Sequence, residues 1–291
     1  MLMTGQIDYI GLDELITRAL AEDIGTGDIT TLSCVPEDAV SKGKIIAKAS
    51  GVVCGAGVLT RLYQILDSRV RVNVLLGDGT SVKRGGVIAE IEGPSRSILT
   101  GERTALNFLQ HLSGIATKTD EFVRSIGGYH TQIVDTRKTL PGLRVLEKHA
   151  VRCGGGKNHR FGLSDGILIK DNHIAAAGGI KQAVESVRKN APHTLKIEVE
   201  TENLRQIDEA LEAGADIIML DNMTVPEMAM AVRHIAGRAI TEASGNMGDR
   251  NLREVVATGV DFISIGALTN SVKALDISLK LECQIRSPGC I

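Results

Sequence analysis

Between residues 137 and 170 the chain carries Arg137, Lys138, Arg144, Lys148, Arg152, Lys157, Arg160 and Lys170 against only Glu147 and Asp165. The segment is therefore +6, and with a whole-chain charge of −2 the remainder is −8. Arg144, Lys148 and Arg152 recur every fourth residue, which puts them on one side of a helix and predicts a solvated face. That explanation does not reach Arg137 and Lys138, directly after a strand-like run, or Arg160 and Lys170, which flank the next one. Those four are expected to converge. Convergent Arg and Lys imply an anionic ligand, with Arg suited to a bidentate grip on carboxylate. Gly154-Gly155-Gly156 lies among them and reads either as a backbone turn open to anions or as a plain flexible loop. Asp135, Glu200 and Asp221 supply the opposite sign at the ends of strand-like runs. Carboxylates beside an anion site point to a divalent cation, Mg2+, bridging to phosphate, or to stabilisation of a cationic transition state. Ser244-Gly245-Asn246 and Gly266-Ala267 follow the last two runs, where backbone N–H groups can hold a phosphate.

These residues need a scaffold that gathers strand ends. The second half alternates candidate strands (132–135, 167–170, 195–200, 217–221, 239–241 and 262–265) with helical patterns (143–150, 179–189, 203–213, 226–235 and 250–258). Glu200, Asp221 and Glu242 fall at nearly regular intervals. Such alternation predicts parallel α/β. Without a Gly-x-Gly-x-x-Gly after the first strand, a barrel is favoured over a Rossmann sheet. In 196–200, period two turns Lys196, Glu198 and Glu200 inward together. Lys196 could pair with Glu198, leaving Glu200 at the mouth for ligand. The first 115 residues are less regular, with a helix around 12–20 and β-like runs at 44–47, 70–74 and 87–91. Residues 77–88 are similar to the hammerhead of biotinyl or lipoyl carriers, but a structural β-sandwich is the preferred reading. A helix from 101 to about 124 bridges the halves. The expected division is 1–115 as an α/β sandwich and 116–274 as an α/β barrel, with the tail 275–291 returning to the first domain.

Composition limits the alternatives. The chain has 291 residues, 43% hydrophobic and 23% charged, as expected of a folded domain protein. A near-neutral balance with 2% aromatics excludes a broadly basic nucleic-acid surface and rows of stacking rings. Cysteines at 34, 54, 153, 283 and 290 contain no Cys-x-x-Cys and suggest neither a disulfide framework nor a zinc site. No apolar run approaches a membrane span, and 1–15 lacks the pattern of a signal peptide. The expectation is a reduced, cytoplasmic enzyme without membrane or nucleic-acid partners.

Seven segments in order carry a resemblance that covers nearly the whole chain: Glu22–Thr31, Glu102–Asn107, Asp135–Thr139, Gly154–Arg160, Ile169–His173, Glu198–Glu200 and Met219–Asn222. The sequence resembles the quinolinate phosphoribosyltransferases (nicotinate-nucleotide pyrophosphorylases, carboxylating). The resemblance implies an incomplete α/β barrel with an N-terminal α/β sandwich. It implies conversion of quinolinate and phosphoribosyl pyrophosphate to nicotinate mononucleotide, pyrophosphate and CO2 with Mg2+, in NAD biosynthesis. By the same resemblance Arg137, His159, Arg160 and Lys170 would hold the quinolinate carboxylates. Arg103 would complete the neighbour's site in a homodimer that could assemble further. Lys138 would meet the pyrophosphate, and Glu200 and Asp221 the ribose and the metal, directly or through water or substrate. Ser244, Gly245, Asn246, Gly266 and Ala267 would surround the 5′-phosphate. Asn246 stands where many members have Gly, and Asn tolerates a left-handed turn. Cys283 and Cys290 fit no motif. The competing readings are a molybdenum-associated paralogue of the same architecture, another barrel enzyme acting on a phosphorylated sugar, and a carrier module built on 77–91.

Overall fold

A computed structural model describes residues 10–282; Cys283 and Cys290 lie outside them. In chain order the elements are α1 (Leu12–Ile24), α2 (Ile29–Cys34), β1 (Val40–Ala47), β2 (Gly51–Val52), α3 (Ala56–Leu66), β3 (Arg71–Val74), β4 (Ser81–Val82), β5 (Val87–Pro94) and α4 (Ser95–Ser125). Then come β6 (Gln132–Val134), α5 (Arg144–Cys153), β7 (Ile167–Ile169), α6 (Asp171–Ala177), α7 (Ile180–Asn190), β8 (Ile197–Thr201), α8 (Leu204–Glu212) and β9 (Ile217–Asp221). The last are α9 (Val225–Ile235), β10 (Ile240–Ser244), α10 (Leu252–Val256), β11 (Phe262–Ser264), α11 (Ala267–Asn270) and β12 (Ile277–Leu281). Among the described residues no helix is long and apolar enough to cross a membrane.

The chain divides into two compact units. The first runs to Lys118 and also takes in Arg152–Gly154 and the chain from Val272. Its four-stranded antiparallel sheet has the order β12-β1-β5-β3, with Ala47 opposite Ile277. Ile45 and Ala47 alternate with more exposed neighbours on β1, the period-two signature of a sheet with one face in the core. The helices contribute stripes at 3–4 spacing: Leu12, Ile16 and Leu20 on α1, and Val58, Leu59, Leu62 and Tyr63 on α3. The Tyr63 hydroxyl, inside this core, donates to the Ile98 carbonyl at 3.0 Å. β4 pairs with β2 while β5 pairs with β1 and β3. Lys83 therefore does not sit at the tip of a hairpin, as a carrier lysine would.

The second unit, Thr119–Val151 and Gly155–Ser271, holds a six-stranded parallel sheet in the order β6-β11-β10-β9-β8-β7. That order is cyclic in sequence and broken between the first and second strands, since β6 and β7 occupy its two ends. This is an incomplete α/β barrel. Beside β6, Lys157 extends the edge by a parallel bridge to Val134. The strands are apolar nearly throughout because helices flank them, so the charged residues within them stand out.

Two local expectations need correction. The fifth strand of this sheet runs to Ser244, not Thr241, so Glu242 lies inside a strand and is buried. Lys196 precedes β8, is exposed, and is not the partner of Glu198. An ammonium before the strand starts can reach water and need not be paired inside.

Candidate active site

The C-terminal ends of the parallel strands open onto a cavity of 660 Å³, a size suited to a small-molecule ligand. Sheet register sets its levels. Ser244 stands beside Asp221, and one level down Met219 stands between Glu200 and Glu242. The lining includes Arg137, Lys138, His159, Arg160, Lys170, Glu200, Asp221, Ser244, Gly245, Asn246, Gly266 and Ala267. Twelve of the thirteen residues to which the resemblance gives a role thus face one space. The thirteenth, Arg103, is exposed on α4 and is not in that lining. Gly154-Gly155-Gly156 is not in it either. Its third glycine is needed for packing, because a Cβ there would meet Thr119 Cγ2 at 2.8 Å and Val151 Cγ1 at 2.9 Å.

The cations sit in distinct settings. Arg137 Nε is buried without a hydrogen-bond partner among the described residues. Arg160 Nη1 donates to the Gly166 carbonyl at 2.9 Å. Burial and the neighbouring Arg137 charge lower the Arg160 guanidinium from its ordinary pKa. Two guanidiniums close enough to repel, one with an unmet donor, form an electrostatic sink for an anion. Lys170 Nζ donates to Glu200 Oε2. The Lys138 carbonyl accepts from the Thr269 hydroxyl at 2.7 Å, which fixes the loop that carries its side chain.

Arg144 and Lys148 overturn the solvated-face reading. Arg144 is half-buried and ties Thr139 Oγ1 to the Phe161 carbonyl, each at 3.0 Å. Lys148 is fully buried; its ammonium pairs with Asp135 and donates to the His159 carbonyl at 3.0 Å. Only Arg152 of the three is exposed. The same pair removes Asp135 from the site: its carboxylate also accepts from Asn158 Nδ2 at 2.6 Å and His159 N at 2.8 Å. Burial raises the Asp135 carboxyl and lowers the Lys148 ammonium, and their attraction opposes both shifts.

Beneath the cations lies a group that the sequence did not single out as a site. His159 Nδ1 receives the Arg160 N–H at 2.8 Å. This leaves the neutral ring's proton on Nε2, 2.9 Å from Glu198 Oε2 and 3.7 Å from Glu242 Oε1. Burial pushes the imidazole pKa down, but the hydrogen bond to Glu198 and the two carboxylate charges outweigh it and raise it. Burial, reinforced by the Glu198 charge, pushes Glu242 up to about 8. The fold thus favours the protonated form of Glu242. The usable signal was its even spacing after Glu200 and Asp221, which reads as strand period and not as chemistry. Asn222, at φ 55, is another lining residue outside that selection; its side chain donates to Asp221 Oδ2 at 2.6 Å.

Two consequences are measurable. In the unfolded chain Glu242 ionises near 4.5, whereas the fold holds its proton to about 8. Its stabilising contribution is full below the lower value and is lost as pH rises toward the upper one, by up to about 1.4 kcal/mol per pH unit. Glu242→Gln should flatten that decline in denaturation midpoints between about pH 5 and 8; an unchanged slope would assign the decline elsewhere. At Gly245, φ is +94 and a Cβ would lie 2.3 Å from Asn222 Oδ1 and 2.8 Å from Asn222 N. Gly245→Ala should cost at least about 1–2 kcal/mol through the left-handed backbone alone and displace the turn, read as a lower melting temperature. The following residue, Asn246, adopts φ 52 with a side chain.

Known proteins share this architecture. The family profile described as "Quinolinate phosphoribosyl transferase, C-terminal domain" matches residues 115–280, and the profile of its N-terminal domain matches 28–113. A probable nicotinate-nucleotide pyrophosphorylase (carboxylating) of Bacillus subtilis is 47% identical over 94% of this chain and 94% of its own. A mitochondrial quinolinate phosphoribosyltransferase (decarboxylating) of Nicotiana glauca is 41% identical over 94% of this chain and 83% of its own. The solved nicotinate-nucleotide pyrophosphorylase of Francisella tularensis superposes with a TM-score of 0.89 at 41% identity, covering 96% of this chain and all of that one.

Proposed function

The chain belongs to the quinolinate phosphoribosyltransferase family, and from that premise we propose how its own residues carry the family's reaction. Quinolinate and phosphoribosyl pyrophosphate become nicotinate mononucleotide, pyrophosphate and CO2, a step in NAD biosynthesis. The observation that carries the assignment of roles is the buried, unpartnered Nε of Arg137 beside Arg160. Quinolinate has two adjacent carboxylates. Arg137 and Arg160 take them, with His159 beneath and Lys170 at the rim, and so point the ring nitrogen at the anomeric carbon. Ser244, Gly245, Asn246, Gly266 and Ala267 take the 5′-phosphate, and Lys138 takes the pyrophosphate.

Nitrogen attack forms the C1′–N bond as the C1′–O bond to pyrophosphate breaks, and the sugar passes through oxocarbenium character. Glu200 and Asp221 sit at adjoining levels where that charge develops and stabilise it electrostatically. The ring is then a pyridinium, which accepts the electron pair released when the carboxylate at C2 leaves as CO2. A proton then replaces it. Catalysis rests on placed charges more than on a dedicated triad.

The donor set fits Mg2+. Glu200 and Asp221 offer hard oxygens, but Lys170 and Asn222 already engage them. Two carboxylates without an all-protein cage suit an ion that keeps waters and binds mainly through substrate phosphates. When bound, Mg2+ would supply neutralisation of the leaving pyrophosphate. Arg103, exposed on α4, is proposed to enter the site of a partner copy. Mixing Arg103→Ala with Arg137→Ala protein under subunit exchange should then raise turnover at low quinolinate above that of either variant alone; no rise would refute a shared site.

The direct test supplies purified protein with quinolinate, phosphoribosyl pyrophosphate and Mg2+, and follows nicotinate mononucleotide and CO2. Both should form in equal amounts, and EDTA should stop them. Equal turnover of nicotinate would show that the second carboxylate is not read, and no product from folded protein would overturn the reading.

A further inference from the structure

The first unit brings together three side chains that no step above uses. Cys54, in the loop between β2 and α3, is fully buried. Ser113 clamps its backbone, its hydroxyl accepting from Cys54 N at 3.0 Å and donating to Cys54 O at 3.1 Å. Asp78 comes from the turn before β4. Its Oδ1 accepts from Gly55 N and Ala56 N, both at 2.9 Å, which holds the carboxylate at the start of α3. Its Oδ2 is thereby turned to the Cys54 sulfur, 3.9 Å away. Cys153 closes α5 and is half-buried. The two sulfurs and a carboxylate oxygen of Asp78 all lie within 4.8 Å of one another.

We propose that Cys54, Cys153 and Asp78 form a second metal centre, for a thiophilic divalent cation such as Zn2+. Two sulfur donors and one oxygen are a borderline-soft set that favours Zn2+ over Mg2+. At Zn–S distances of about 2.3 Å, a tetrahedral ion holds two sulfurs about 3.8 Å apart. With the sulfurs within 4.8 Å, a shift of no more than about an ångström brings them to that spacing. Binding breaks two S–H bonds, releases both protons to solvent and forms two S–metal bonds and one O–metal bond, with the fourth position open to a further donor. A disulfide would join the same sulfurs, but it needs an oxidant and makes no use of the Asp78 carboxylate oxygen beside them.

The centre shares no residue with the Glu200–Asp221 pair, and its test does not depend on catalysis. Reduced, chelator-treated full-length protein is titrated with Co2+ alone. Thiolate-to-metal absorption in the near ultraviolet should rise to about one equivalent and disappear when Zn2+ displaces the cobalt. Cys153→Ser should remove about half of that absorption, and Cys34→Ser none. Asp78→Asn keeps an oxygen for the two α3 amides but loses the anionic donor, so it should weaken Co2+ binding about tenfold or more. A second readout needs no variant: Zn2+ should protect Cys153 from alkylation, followed by peptide mass. The proposal falls if no charge-transfer band forms, if Cys153→Ser leaves the band intact, or if Cys153 alkylates equally with and without Zn2+.

Discussion

Replacing Lys148 by methionine should destabilise the protein by about 3–5 kcal/mol, the cost of leaving one partner of a buried ion pair unmatched. Lys148 and Asp135 are both fully buried. Methionine fills much of the same volume, so the loss would report charge and not a cavity. The remaining donors to Asp135, Asn158 Nδ2 and His159 N, are neutral and cannot balance a full charge. The variant's carboxyl would therefore hold a proton to higher pH. Its stability deficit should shrink in acid, because folding then takes up the proton that neutralises Asp135. The effect should also reach the cavity. Lys148 and Asp135 hold the two peptide groups that flank the His159 Cα, through the His159 carbonyl and N–H, and the ammonium stands 5.1 Å from the Phe161 ring centroid. Loosening that grip frees the segment that presents His159 and Arg160. Urea denaturation at two pH values measures the stability change, and a deficit under about 1 kcal/mol at neutral pH would mean the pair contributes little net stability.

Lys148 also shows where sequence reasoning stops. Four-residue spacing correctly placed it on a helix, but spacing says which residues share a face and not what covers that face. Asp135 lies in another element, so nothing local announced the pair. Glu242 was hidden by the opposite route. Its strand reads Ile-Thr-Glu-Ala-Ser, and the apolar pattern fades just where the strand dips beneath the ligand space. A carboxyl is tolerable there because burial, and Glu198 on a different strand, favour its protonated form. Lys196 was misplaced because strand period was extended one residue beyond the strand. The layout of the site was easier to read. In a parallel α/β unit the strand ends gather on one side whatever the details of packing. Polar residues at the ends of successive runs, with glycines after the last two, therefore had to converge. Period and polarity sufficed for that, whereas partners across the sheet required coordinates. Arg103 shows a different limit: its proposed role needs a second copy, which no pattern within one chain reveals.

Arg137→Ala should weaken quinolinate binding about 10- to 100-fold, from the loss of a charge-assisted contact worth roughly 1.5–3 kcal/mol, and leave phosphoribosyl pyrophosphate binding within about threefold. The asymmetry follows from position. Arg137 and Lys138 are neighbours in sequence but are proposed to serve different substrates in the cavity. Lys138 is tied through its carbonyl to Thr269 on α11, and its side chain passes beside Gly266. The Arg137 guanidinium is felt by Arg160, on the side of His159 and the Glu198–Glu242 floor. A dicarboxylate between the two guanidiniums would relieve their repulsion and satisfy the orphaned Nε. Removing one guanidinium should lower that repulsion in the empty protein while depriving the ligand of its grip. Arg137→Ala should therefore be no less stable than the parent in the absence of ligand, although its affinity falls. Arg137→Lys should restore little, because an ammonium keeps the charge without the planar fork that engages two oxygens. Calorimetric titration with each substrate separately checks the split. Equal losses for both would move Arg137 from carboxylate recognition to general organisation of the site, and full rescue by lysine would reduce its role to charge alone.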